Sequence, residues 1–203
     1  GQNPARQASI ASGLPETVPA TTINKVCGSG LKAIMLAADG IQAGRSRILV
    51  AGGMESMTNA PYLLDKARFG YRLFDGKLVD AMVRDGLWDK FNDFHMGMTG
   101  EIVAERHNIT RHDADEFAAR SHKLAVEATN SGRFAKELLP IKIDQKGQTV
   151  VIDKDEGPRA DASIEKLTKL KPVFKENGIV TAGNASSIND GAAATLVVAE
   201  DLA

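Results

Sequence analysis

The spacing of apolar positions changes several times along the chain. Thr21, Thr22, Ile23 and Val26 are β-branched and suit an extended strand. Gly28-Ser29-Gly30 breaks that run, and beyond it Leu31, Ile34, Met35, Ala38 and Ile41 recur at helical spacing. This predicts a helix to about Ala43, closed by Gly44. Residues 47–53 follow as a short apolar run of the kind buried on both faces of a parallel sheet. Strand, helix and strand make a βαβ unit, normally right-handed. Gly52-Gly53-Met54-Glu55-Ser56-Met57 then reads as a loop, a tight turn in which Glu55 fixes backbone N–H groups. Ahead of the unit, residues 4–12 read as a short helix ended by Gly13 and Pro15.

From residue 58 to 187 the βαβ rhythm is absent and the aromatics concentrate, among them Tyr62, Phe69, Trp88, Phe91 and Phe94. Residues 80–87 read as a short helix ended by glycine. Thr99 is placed to cap a helix through Glu105, with Ile102 and Val103 inward. Thr110 and Asp113 form a capping-box pattern for a helix ended by Asn130-Ser131-Gly132. Its predicted buried stripe is Phe117, Ser121, Leu124, Ala125 and Ala128. Residues 141–144 and 149–152 predict a hairpin turning at Lys146-Gly147. Residues 153–159 are a charged loop. Residues 181–191 are rich in Gly, Asn, Ser and Asp, a composition common in loops that face a ligand. Residues 191–199 read as a last strand.

Composition narrows the function. Of the 203 residues, 43% are hydrophobic and 25% charged, as in an ordinary globular protein. The net charge of −1 gives no electrostatic case for nucleic acid or an acidic membrane surface. No apolar run approaches the roughly 20 residues of a membrane span. One cysteine forms no internal disulfide, which fits a reducing, cytoplasmic compartment. His107, His112 and His122 have no spacing suited to a metal site, and no metal is expected.

That one cysteine, Cys27, stands at the junction of strand and helix. The first turn of a helix carries unsatisfied N–H groups and partial positive charge, which favour a thiolate. A small buried hydrophobe is the alternative reading of a lone cysteine. The strand, Cys-Gly-x-Gly, helix order is that of an elbow nucleophile. Such a thiolate can take an acyl group from a thioester, and the Cys27 N–H can stabilise the oxyanion.

Asn24-Lys25-Val26-Cys27-Gly28-Ser29-Gly30-Leu31-Lys32-Ala33 resembles the nucleophile segment of the thiolases, close to the acetyl-CoA acetyltransferase branch. Three further stretches match in the family's order: residues 52–57, His95-Met96-Gly97-Met98-Thr99-Gly100-Glu101, and residues 181–191. Together they span nearly the whole chain. The resemblance implies an α/β chain, part of a layered α/β/α fold. Residues 1–58 and 188–203 would form part of an N-terminal domain, and 59–187 an inserted α+β loop domain that holds coenzyme A. It implies that Cys27 forms an acyl-enzyme, and that Leu87, His95, Met96, Ala182, Ser186, Ser187 and Ile188 line the coenzyme channel. Arg159 would approach the nucleotide end, where planar donors suit phosphate. Lys166 stands where the family often has a smaller polar residue.

The family condenses two acetyl-CoA to acetoacetyl-CoA or cleaves 3-oxoacyl-CoA, with coenzyme A thioesters as substrates and no permanent cofactor. It forms dimers or tetramers, so a homo-oligomer is expected. Its second cysteine and Gly-His-Pro motif are not in this sequence. The chain is therefore expected to be an internal fragment lacking the C-terminal half, and inactive alone. Two other readings stay open: a β-ketoacyl synthase-type condensing enzyme, and a non-catalytic fragment that binds coenzyme A.

Overall fold

The computed structural model describes Gly1–Ala203. The helices are α1 (Pro4–Ala11), α2 (Ser29–Gln42), α3 (Met96–His107), α4 (Arg111–Asn130) and α5 (Ile164–Leu167). The strands are β1 (Ile48–Ser56), β2 (Tyr62–Leu63), β3 (Val79–Asp80), β4 (Trp88–Asp89), β5 (Phe94–His95), β6 (Ile141–Gln145), β7 (Gln148–Ile152) and β8 (Asp190–Val198). The chain divides into two units, Gly1–Ala60 with Asn189–Ala203, and Pro61–Ile188. No helix is long and apolar enough to cross a membrane.

In the first unit, residues 18–24 form no ladder, contrary to the predicted strand. Their polar groups are used against the start of α1 instead. The Asn3 side chain donates to Ala20 O, Ala5 N–H donates to the Thr22 hydroxyl, and the Arg6 guanidinium donates to Val18 O. α2 ends as expected, with Gly44 in the left-handed region at φ +68.

The predicted loop at 52–57 is a correction: Gly52–Ser56 belong to β1. β8 pairs antiparallel with the whole of it, from Ile48↔Val198 to Ser56↔Asp190, so the backbone continues straight. This sheet has two strands, and the expected parallel βαβ pairing is not formed. A Cβ on Gly52 would lie 2.6 Å from Ala193 O, so glycine permits the close strand approach. α2 lies beside β1, where a Cβ on Gly40 would meet Leu49 Cδ1 at 4.0 Å. Ala37 and Ala51 are buried, while Ile48, Val50, Met54 and Leu196 are exposed.

In the second unit, the residues predicted as a short helix end in a π-helical turn, Val83–Leu87. α3 begins four residues earlier than expected. His95, not Thr99, is its N-cap, with Nδ1 accepting the Gly97 N–H at 3.0 Å. The buried residues of α3 are Glu101 and Ala104, and Val103 is exposed. Glu101 replaces solvent with backbone donors: its carboxylate accepts the N–H groups of Ile179 and Val180. The capping box of α4 is complete, with Thr110 and Asp113 bonded reciprocally.

The buried stripe of α4 differs from the prediction. Asp115 and Ala118 are buried, while Phe117 and Leu124 are exposed. The cause is a polar core. Asp115 is paired with Arg111 at 2.8 Å and accepts from Asn184, so the carboxylate takes the inward place. The β6–β7 hairpin turns at Lys146 (φ 49) and Gly147 (φ 82), the two left-handed positions of a type I′ turn.

Candidate active site

Cys27 is exposed and lies one residue before Gly28, the N-cap of α2. Val26 before it has φ +49, which is rare for a β-branched residue. A set of short bonds holds this turn. The Asn24 side chain accepts the Val26 N–H at 2.8 Å. The Ser29 hydroxyl accepts the Lys25 N–H at 2.8 Å and donates to Val26 O at 2.7 Å. Gly28 N–H and Ser29 N–H donate back to Lys25 O and Val26 O. None of these bonds uses the N–H of Cys27. The start of α2 lies close to β1, since a Cβ on Gly53 would be 3.7 Å from Gly30 Cα.

The other predicted residues lie in the second unit. Leu87 is half-buried and precedes Trp88, which pairs with His95 across the β4–β5 ladder. Because His95 Nδ1 is an acceptor, the neutral ring carries its proton on Nε2. The His95 ring stacks on Phe174, centroids 4.8 Å apart and planes at 17°. Gly97 makes room for that ring, since a Cβ there would fall 2.2 Å from it. Met96 is 38% exposed, with Sδ 4.0 Å from the Thr99 hydroxyl. Leu87, His95 and Met96 are thus gathered around one β-bridge and one aromatic contact.

Phe174 leads on to the polar loop. Val173 N–H donates to Val180 O, and Pro172 bridges Thr181, which is fully buried. Ala182, Ser186, Ser187 and Ile188 are exposed beyond it. Asn184 pins the loop: it accepts from Thr181 N–H and donates to Asp115 and to Ile179 O. Ser187 lies near Gly157, whose Cβ position is 3.8 Å from the Ser187 hydroxyl. Two residues on, Arg159 is exposed and its N–H donates to His122 Nδ1 at 3.2 Å. Arg159 lines an open groove of ≈ 890 Å³ with Phe117, Arg120 and Lys123, and with the acidic Asp113, Glu116 and Glu127. Lys166 pairs with Asp161 at 2.8 Å, and this bond holds the Asp161 carboxyl below the usual aspartate range.

Sequence reasoning did not find Phe174, Asn184 or Ser29 as parts of these arrangements. Phe174 falls in no periodic run, and its partner is 79 positions away. Asn184 had a signal, being an amide inside a Gly- and Ser-rich loop.

Residues 1–201 match the family described as thiolase, N-terminal domain. An acetyl-CoA acetyltransferase from Pseudomonas aeruginosa is 55% identical over 199 residues, covering 98% of this chain and 51% of that protein. A probable acetyl-CoA acyltransferase from Staphylococcus aureus is 53% identical over 204 residues, covering 100% of this chain and 52% of that protein. Among solved structures, acetyl-CoA acetyltransferase from Syntrophomonas wolfei superposes with a TM-score of 0.95 at 43% identity, covering 100% of this chain and 51% of that one. The Bacillus anthracis acetyl-CoA acetyltransferase gives 0.95 at 45% identity, covering 99% and 51%. The chain spans about half the length of the curated relatives it matches.

Proposed function

Since the chain belongs to the thiolase family, we propose that Cys27 is the acyl-accepting nucleophile of an acetyl-CoA acetyltransferase. The observation that carries this reading is the turn itself. The thiol is exposed ahead of a 14-residue helix, on a strained turn that leaves the Cys27 N–H out of its own bonding. In the proposed step, Sγ attacks the carbonyl carbon of an acyl-CoA. The carbon–sulfur bond to coenzyme A then breaks, and coenzyme A leaves as its thiolate, a group of low basicity. The Cys27 N–H is the proposed oxyanion donor.

Leu87, His95, Met96, Ala182, Ser186, Ser187 and Ile188 are proposed to hold the pantetheine arm, and Arg159 the nucleotide phosphates. Support comes from the exposure of Ala182 and of Ser186 to Ile188, and from Arg159, which is exposed at a groove that also holds Arg120 and Lys123 beside Asp113, Glu116 and Glu127. In the whole protein the acyl group passes to a second acetyl-CoA, giving acetoacetyl-CoA, or arrives from a 3-oxoacyl-CoA in the reverse direction. Fatty acid metabolism is the fitting context, in the cytoplasm, where a lone exposed thiol stays reduced. A dimer or tetramer is the proposed state, supported by the exposed apolar residues Phe117 and Leu124 on α4. The chain has no second cysteine and no Gly-His-Pro, so it is assigned acylation but not turnover.

The test is incubation with acetyl-CoA followed by mass spectrometry of the intact chain. An acetyl adduct confined to Cys27 and lost in Cys27→Ser supports the reading. No adduct on Cys27, or equal adducts on Cys27→Ser, overturns it. Sustained cleavage of acetoacetyl-CoA by this chain overturns the assignment of acylation alone.

A further inference from the structure

We infer that Ser29 is a positioning residue for Cys27, acting through the backbone of Val26. This rests on the reading of Cys27 as the nucleophile and adds the group that aims it. A valine at φ +49 is unfavourable unless its surroundings hold it there. Ser29 does this from two sides. Its hydroxyl oxygen accepts the Lys25 N–H, and its proton goes to Val26 O. One hydroxyl therefore ties the Asn24–Lys25 peptide group to the Val26–Cys27 peptide group, and the second of these carries the Cys27 N–H. The Asn24 side chain holds the remaining flank by accepting the Val26 N–H, which belongs to the Lys25–Val26 peptide group.

The consequence falls on the next residue. With Val26 held in the left-handed region, the chain reverses and Cys27 is delivered to the residue before the Gly28 cap. An extended Val26 would continue the line of residues 18–24 and carry the thiol and its N–H elsewhere. Ser29 is already the first residue of α2, so its hydroxyl is set by the helix that begins two residues after Cys27. Its bonds go to backbone on the near side of Cys27, and neither reaches the sulfur. The role is one of aim, not of proton transfer.

The experiment measures the rate at which iodoacetamide alkylates Cys27, where Sγ bonds to the methylene carbon and iodide leaves, and the acetyl-CoA adduct beside it. Four forms of the chain are compared: unaltered, Ser29→Ala, Ser29→Thr, and Val26→Gly with Ser29→Ala. Ser29→Ala is expected to slow acylation about a hundredfold, the scale on which misplacing a reacting group costs rate. Ser29→Thr keeps the hydroxyl and is expected to retain the rate to within a few-fold. Glycine takes positive φ without strain, so Val26→Gly is expected to restore most of the loss in Ser29→Ala.

Ser29→Ala acylated at the unaltered rate overturns the inference and leaves Cys27 as nucleophile. Failure of Val26→Gly to restore any rate, with the double variant folded by circular dichroism, also overturns it. An unaltered chain that takes no acetyl group removes the Cys27 reading and this inference together. Where Ser29→Ala does not fold, the glycine double variant decides: acylation within a few-fold of the unaltered rate supports the inference, and a folded double variant that stays slow overturns it.

Discussion

The side-chain amide of Asn184 donates to Asp115 Oδ1 at 2.9 Å, joining residues 69 positions apart. Asp115 has no exposed side-chain surface, and its other oxygen is held by Arg111 at 2.8 Å. Arg111 in turn donates to the carbonyls of Leu167 and Leu170. One carboxylate thus links α4, the end of α5 and the loop that carries Ala182 to Ile188. Removing it leaves Arg111 largely buried and unpaired. Asp115→Ala is expected to destabilise the chain by about 3–5 kcal/mol, read from urea unfolding. Asn184→Ala loses less, about 1–3 kcal/mol. It is also expected to weaken coenzyme A binding more than its effect on stability explains. Equal urea midpoints for Asp115→Ala and the unaltered chain would refute the network.

Acid should loosen the start of α4. The Thr110 hydroxyl and then the Thr110 N–H donate to Asp113, with a smaller contribution from His112, and together they hold its carboxyl below the usual aspartate range. A depressed folded value means the contribution is complete above the unfolded value of about 3.9 and is lost as pH falls through the lower folded one. The comparison is Asp113→Ala against the unaltered chain by thermal unfolding. The difference between them is expected to be full at pH 7 and to narrow below about pH 3.9. A difference that stays constant into acid would contradict the capping role.

Local signals were legible where the partner is local. Gly44 after α2, the Thr110–Asp113 box and the Lys146-Gly147 turn each rest on residues within a few positions, and each was read from the sequence. Three things were not legible, for one reason. Thr21, Thr22 and Ile23 have strand propensity, but the neighbouring hydrogen bonds go to α1, about 17 residues away. Gly52-Gly53 reads as a turn until β8, over 130 positions on, pairs with it. On α4, hydrophobicity points to Phe117 and Leu124, but both are exposed; the inward stripe runs through Arg111, Ala114, Asp115, Ala118 and His122 to the expected Ala125 and Ala128, its polar members made acceptable by distant partners. The Cys27 junction was legible as a place. The left-handed Val26 and the Ser29 bonds that hold it were not, because valine in that position reads as strand.

Gly52 tests the β1–β8 register. Its Cβ position meets backbone on the facing strand, Ala193 O at 2.6 Å and Ala194 Cα at 3.3 Å, so no side-chain rotation relieves the contact. Gly52→Ala is expected to cost about 1–3 kcal/mol. Gly191→Ala, with nothing within 4 Å of the added atom, serves as the control and is expected to be tolerated. Urea unfolding that ranks the two variants the other way round would contradict the register.

His95 has two separable duties, and one substitution tells them apart. Its Nδ1 caps α3 by accepting the Gly97 N–H, and its ring stacks on Phe174. Asparagine is a strong N-cap residue that lacks the ring. His95→Asn is expected to keep α3 and most of the stability, while losing the stacked face proposed to line the pantetheine channel. His95→Ala loses both, and is expected to be about 1 kcal/mol less stable than His95→Asn. Gly97→Ala approaches the same contact from the other side, since its added atom would fall 2.2 Å from the Phe174 ring and force that ring away. Coenzyme A affinity, measured by calorimetry, is expected to fall in all three variants, while stability separates His95→Asn from His95→Ala. If His95→Asn binds coenzyme A as tightly as the unaltered chain, the ring has no part in binding and His95 is a cap alone.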